Sequence, residues 1–278
     1  MTNIQHKTQG ERQERSSTSE PGLHATVASE VLKLRTLAFP KVLGLISIVL
    51  SALTAVLFLV TIEATQGDPL EALPASDVAS TALLGVDATA IVLIVLGGWL
   101  VATEYASGMI HTSMVATPNR LKLYTAKLIV TAGLGMIAGL LAAVVTLLSA
   151  QLVLIAQGIP ALNFLDPELL RMSFGSLLMV PFYAILAAAA AFVLRSTGGA
   201  VVVTLAVMFM PAVINMLPSA GQELLLPLLP SSALASIFGL AEVGDPAHLV
   251  PLLAAVSLLV WWVVFIGFGF ARFARRDA

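Results

Sequence analysis

Charges in this chain fall in short clusters, and between them lie long apolar runs. Stretches free of Asp, Glu, Lys and Arg extend from Val42 to Ile62, Leu128 to Leu165, Met172 to Leu194, Ser196 to Gln222 and Pro246 to Ala271. Each reaches the roughly 20 residues that a helix needs to cross about 30 Å of hydrocarbon. A sixth stretch, Thr81 to Thr103, carries one carboxylate, Asp87, expected within two turns of the span's end and hence near the headgroups. Runs such as LLAAVVTLL and AILAAAAAFVL do not alternate as barrel strands do. The pattern predicts an all-α polytopic membrane protein with six transmembrane helices. No ionised residue is expected near the middle of a span. That disfavours a proton-coupled carrier or channel, which usually holds its coupling ion on such a group.

The flanking segments predict further elements. Residues 1–24 are polar and read as a disordered cytoplasmic tail, leaving 25–278 as the six-helix domain. No signal-peptide pattern precedes the first span, which is expected to stay attached. Ala25 to Leu37 has apolar residues three and four apart, with charges on the other face. It predicts a short helix along the inner headgroup layer that ends where the chain turns at Pro40. A continuous extension of span one is the alternative. Thr103 to Lys127 predicts one or two helical turns, then a Thr117-Pro118-Asn119 turn, a lever that a soluble partner can hold; a plain solvated connection competes. Residues 218–245, leucine-rich but broken by Pro218, Pro227, Pro230, Gly239 and Gly244, predict two half-helices dipping into the outer leaflet, or a surface loop.

Charge fixes the expected orientation. Basic residues cluster before span one (Lys33, Arg35, Lys41), between spans two and three (Arg120, Lys122, Lys127), between four and five (Arg195) and after six (Arg272, Arg275, Arg276). The alternate loops carry Glu63, Asp68, Glu71, Asp77, Asp166, Glu168, Glu223, Glu242 and Asp245, with Arg171 the exception. Basic loops stay inside, so both termini are expected in the cytoplasm and the protein in the inner membrane.

Composition agrees: 58% of the 278 residues are apolar, only 11% are charged, the formal charge is −2 and there is no cysteine. An ordinary soluble domain, a disulfide scaffold and a basic nucleic-acid binder are thereby excluded. Nor does catalytic chemistry emerge. The chain has no GxxxxGK[ST] phosphate loop and no GxSxG elbow, and His6, His24, His111 and His248 are scattered without a ligand set. No enzymatic activity and no cofactor are expected in this chain. Gly135 and Gly139 form a GxxxG that serves either internal packing or a dimer contact. Pro181 and Pro211 should loosen their helices. Pro211, Gln151 and Asn215 are the candidates for a substrate path, with interhelical hydrogen bonding as the competing role of the two amides.

In SEVLKLRT (29–36), TEYASGMIHTSMVATPNRLKLYTAK (103–127), LRSTGGA (194–200) and the terminal RRDA, the chain resembles the membrane subunits of bacterial ABC type-2 exporters. Met109 departs from the Thr that many relatives carry after the Gly. The resemblance implies a type V exporter fold: two six-helix permeases, identical or different, each gripping one of two separate ATPase subunits that bind ATP and Mg. It also implies that the helix at 25–37 and a coupling helix at 104–120 meet the ATPase. The residues implied in that coupling are Glu30, Lys33, Arg35, Glu104, Tyr105, Gly108, His111, Pro118 and Arg120. An amphipathic drug, peptide or lipid-like cargo would be exported. A channel or carrier without an ATPase, or a sensory membrane protein that moves no cargo, remains the alternative.

Overall fold

The computed structural model describes residues 21–67, 69–241 and 244–276; residues 1–20 of the predicted tail (1–24) lie outside them, and its last two residues, Leu23 and His24, are helical. Among the described residues the only regular elements are helical. In chain order they are α1 (Leu23–Thr36), α2 (Ala38–Val60), α3 (Ile62–Gln66), a 3-10 turn (Leu70–Ala72), α4 (Ala75–Ala106), α5 (Met109–Ala116), α6 (Arg120–Ala156), α7 (Pro167–Leu194), α8 (Thr197–Ile214), α9 (Ser219–Leu225), a second 3-10 turn (Leu226–Leu228), α10 (Pro230–Phe238) and α11 (Pro251–Arg276). Six of these, α2, α4, α6, α7, α8 and α11, are long and apolar enough to cross a membrane. An all-α polytopic membrane protein is the class these helices define.

Small residues set the packing. Helices immersed in lipid gain little from hiding apolar surface, so close backbone approach holds them together. Ala187 to Ala191 in α7 are all buried, and α7 forms the centre of the bundle against α4, α6, α8, α10 and α11. A Cβ on Gly135 of α6 would lie 2.5 Å from Pro181 Cα, and one on Gly139 would lie 2.7 Å from the Leu177 carbonyl oxygen. The GxxxG therefore packs inside the subunit, against α7, and Gly97 of α4 meets the Ala184 carbonyl in the same way. In contrast α2, α8 and α11 turn large apolar side chains outward, among them Leu45, Leu53, Val202, Val213, Leu252 and Val263.

Several boundaries differ from the sequence reading. The break before span one falls at Leu37, which is extended, and Pro40 sits in the first turn of α2, where its missing N–H has no helical acceptor to serve. α1 is thus a separate helix, and its buried stripe is Thr26, Glu30 and Leu34, while Leu32 is exposed. The expectation that all its charges face away from the packed side is overturned for Glu30. α4 begins at Ala75, after Pro74, so Asp87 is the thirteenth of 32 residues and not near an end. At 37 residues α6 extends about 55 Å, well beyond the hydrocarbon thickness, and carries its basic first turns out of it.

At the far end of the bundle, the 218–245 region folds into α9 and α10. α10 packs on α7 and α11 and buries Pro230, Ser232, Ala233, Leu234 and Ser236, whereas α9 buries nothing. Arg171, the basic residue that departs from the charge pattern, donates from Nε to the Ile237 carbonyl (3.1 Å) and from Nη2 to the Ser236 carbonyl (3.3 Å). It caps the last turn of α10 just before Gly239, whose φ of 80° ends the helix. A local capping need explains why this charge departs from the pattern.

Candidate functional site

α4 ends at Ala106, and Gly108, at φ 72°, reverses the chain into α5. That left-handed conformation suits a residue without Cβ. α5 turns Ile110, Ser113 and Met114 inward, at helical spacing, and leaves Met109, His111, Thr112, Val115 and Ala116 exposed. Thr117 is buried, Pro118 is exposed, and Asn119 caps α6 by accepting a hydrogen bond from the Lys122 N–H at 3.1 Å. The short helix is strapped between the ends of two long ones.

Beneath it lies a closed ring of four charges. Lys33 Nζ is 2.6 Å from Glu30 Oε1 and 2.9 Å from Glu104 Oε1; Lys127 Nζ is 2.8 Å from Glu30 Oε2 and 2.7 Å from Glu104 Oε1. Each ammonium meets two carboxylates and each carboxylate two ammoniums, so the ring is neutral. α5 joins through Ser113, which accepts from Lys33 Nζ (3.2 Å) and donates to Glu104 Oε2 (3.3 Å). The side chain of Lys127 is 2% exposed and those of Glu30 and Glu104 are 8% exposed. Burying ions at this depth is tolerated only when each is fully paired. For Lys33, burial pulls the pKa down, but hydrogen bonds and charge attraction from Glu30 and Glu104 outweigh that and leave it raised above 10.5. The ring fixes the register of α1, α4, α5 and α6 at one point. Beside it opens a cavity of about 320 Å³ whose walls include Trp99, Leu100 and Met109.

The same end of the bundle is closed by aromatic packing. Tyr105 meets Phe192 edge-on at 6.4 Å, with the Arg195 guanidinium 5.0 Å above its ring. Tyr124 donates its hydroxyl to the Ile266 carbonyl at 2.8 Å, and Arg120 Nη1 donates to the Ala274 carbonyl at 2.6 Å, tying the end of α11 to the start of α6. Lys33, Arg120, Lys127 and Arg195 are thus gathered at one end of the bundle.

Of the residues implied in coupling, the structure brings Glu30, Lys33 and Glu104 together inside the ring. Tyr105 packs instead on Phe192 and Arg195, and Arg120 bonds to the Ala274 carbonyl, while Arg35, Gly108, His111 and Pro118 are exposed around α5 and α1. Sequence reasoning missed Lys127 and Ser113. A signal was present for the lysine: with Leu123, Tyr124, Val130 and Thr131 it lies on one buried stripe of α6.

The three path candidates separate. Gln151 accepts from the Leu162 N–H at 3.1 Å and pins the loop after α6, and Asn215 is exposed at the end of α8, its carbonyl accepting from Gln222 Nε2 at 3.0 Å. Pro211 lines a cavity of about 480 Å³ between α4, α7, α8 and α10. Asp87 lines that cavity too. With Asp87 the thirteenth of 32 residues in α4, the expectation that no ionised residue sits near the middle of a span does not hold. The argument it supplied against an ion-coupled carrier falls with it. Among the described residues, no three His, Asp or Glu side chains gather as a metal-binding set.

No protein-family model matches the chain, and no curated protein matches it.

Proposed function

We propose that this chain is the membrane-spanning permease subunit of an ATP-binding-cassette exporter, paired with a second permease and driven by separate ATPase subunits that bind ATP and Mg. The observation that carries the reading is the attachment of α5: an exposed eight-residue helix tied by Ser113 and the Glu30–Lys33–Glu104–Lys127 ring to two spans and to α1. A force on its outer face passes to α4 and α6 together. The resemblance of residues 103–127 to the coupling segment of type-2 exporters supports the same role, as does the clustering of basic residues at that end of the bundle, which the positive-inside rule places in the cytoplasm. In this mechanism ATP binding closes the two partner subunits, the closure displaces α5, and the spans change access to a cleft between paired permeases. The partner must bind the two conformations with different affinity, since that difference is all that shifts the equilibrium. Glu30, Lys33 and Glu104 act as positioning residues, and His111, Val115 and Pro118 supply the docking face. Cargo is an amphipathic, drug-, peptide- or lipid-like molecule.

Co-expression with an adjacently encoded ATP-binding-cassette subunit tests this. The partner should co-purify with the wild-type chain and be lost with His111→Glu or Val115→Arg, while the thermal unfolding of the permease is unchanged. Undiminished co-purification with both variants would remove α5 as the coupling element. Asp87 favours a second reading, a carrier coupled to a proton or cation. Uptake or efflux that follows an imposed proton gradient in vesicles lacking any ATPase would select it.

A further inference from the structure

The cavity around Asp87 is built as a binding site. Its walls come from four helices: Ser80, Leu83, Leu84 and Asp87 of α4, Met179 and Tyr183 of α7, Met208 and Phe209 of α8, and Ser231 and Phe238 of α10. A volume of about 480 Å³ lies within the range of small-molecule pockets. Most of the lining is apolar, and the polar groups converge. Asp87 has no cationic side chain within ion-pair distance and no hydrogen bond among the described residues. Tyr183 is fully buried; its hydroxyl lies near enough to Ser231 on the facing helix for the two to bond each other and near enough to Asp87 to feel its charge, and neither hydroxyl bonds to any other described residue. An unpaired carboxylate in an apolar pocket between spans marks a functional position, and with the two hydroxyls beside it the pocket offers a cation three oxygens.

We infer that this pocket binds a monovalent organic cation, an ammonium-bearing amphiphile whose charged nitrogen sits between Asp87, Tyr183 Oη and Ser231 Oγ and whose apolar body lies against Leu83, Met179, Met208 and Phe238. The carboxylate supplies the opposite charge, and the two hydroxyl oxygens accept N–H hydrogen bonds. An inorganic cation fits poorly, because three oxygens leave its coordination incomplete and the remaining wall is hydrocarbon. That the bound cation is cargo rests on the exporter reading; that it binds does not, and binding is measured without any ATPase.

The test uses the full chain in lipid nanodiscs, with rhodamine 6G as the cationic probe and uncharged Nile red as the control. Fluorescence anisotropy should show saturable rhodamine 6G binding that weakens at least tenfold in Asp87→Asn and several-fold in Tyr183→Phe and Ser231→Ala, with Nile red partitioning the same in all. Thermal unfolding of each variant identifies any that misfold, and the two hydroxyl variants, which remove one oxygen each, keep the test open if Asp87→Asn does. Undiminished binding in the folded variants overturns the proposal. So does displacement of the dye by 150 mM sodium but not by 150 mM propylammonium, which would assign the pocket to an inorganic ion. If the dye binds as described while no ATPase associates, the site stands and the exporter reading fails.

Discussion

Replacing Lys127 with Met is the sharpest perturbation of the charge ring. The substitution keeps most of the volume of the side chain and removes one ammonium that lies 2.8 Å from Glu30 and 2.7 Å from Glu104. Two nearly buried carboxylates are then left to share Lys33, which is one-third exposed and already bonded to both. Breaking a buried pair from one side typically costs about 3–5 kcal/mol, because a desolvated charge is stranded. Lys127→Met should therefore lower stability by about that amount. Glu104→Gln strands an ammonium instead, and the double variant Glu104→Gln/Lys127→Met restores neutrality with one intact Lys33–Glu30 pair. The double variant should fall short of the summed single losses by about 1–3 kcal/mol, the usual size of coupling between contacting residues. Thermal unfolding followed by tryptophan fluorescence suits the measurement, since Trp99 lines the adjoining cavity and packs on Phe39 at 4.5 Å. An unchanged midpoint in Lys127→Met, or strict additivity in the double variant, would refute the claim that the four charges act as one unit.

Other outcomes follow from the packing and the caps. Gly135→Ala should destabilise, since its Cβ would sit 2.5 Å from Pro181 Cα, whereas Gly133→Ala, with no atom within 4 Å, should leave the unfolding midpoint unchanged or slightly raised. Arg171→Ala removes both side-chain donors to the end of α10 and should speed proteolysis after Phe238 while leaving the α5 end intact, at a cost of about 1 kcal/mol. Because the folded-state pKa of Lys33 is raised above 10.5, its contribution is complete below that pH and is lost as pH climbs through the folded value. The wild-type midpoint should fall above about pH 10.5 by more than that of Lys33→Met, measured across the same alkaline series.

What the sequence showed clearly was whatever depends on long runs. Five spans stand out because nothing charged interrupts them and the sixth in spite of Asp87, and α5 falls where one or two helical turns before a Thr117-Pro118-Asn119 turn are expected. Less legible were features that depend on a partner distant in the chain. Lys127 looks like a surface charge at the start of a span until Glu30, 97 residues away, is placed against it. Glu30 itself sits on a stripe that reads as amphipathic only if its charge is turned outward. Asp87 was misplaced for a different reason: a span starting at Thr81 begins too late, whereas α4 starts at Ala75, directly after Pro74. Arg171 broke the charge rule for a cap that becomes visible only once α10 is packed beside α7.

A single cysteine at Val115 tests the central claim most directly, because the chain has none of its own and Val115 is 81% exposed on the outer face of α5. A membrane-impermeant maleimide should modify it in inverted vesicles and not in intact cells, and a bound ATPase subunit should protect it. Labelling in intact cells, or labelling in vesicles that the ATPase leaves untouched, would contradict the account.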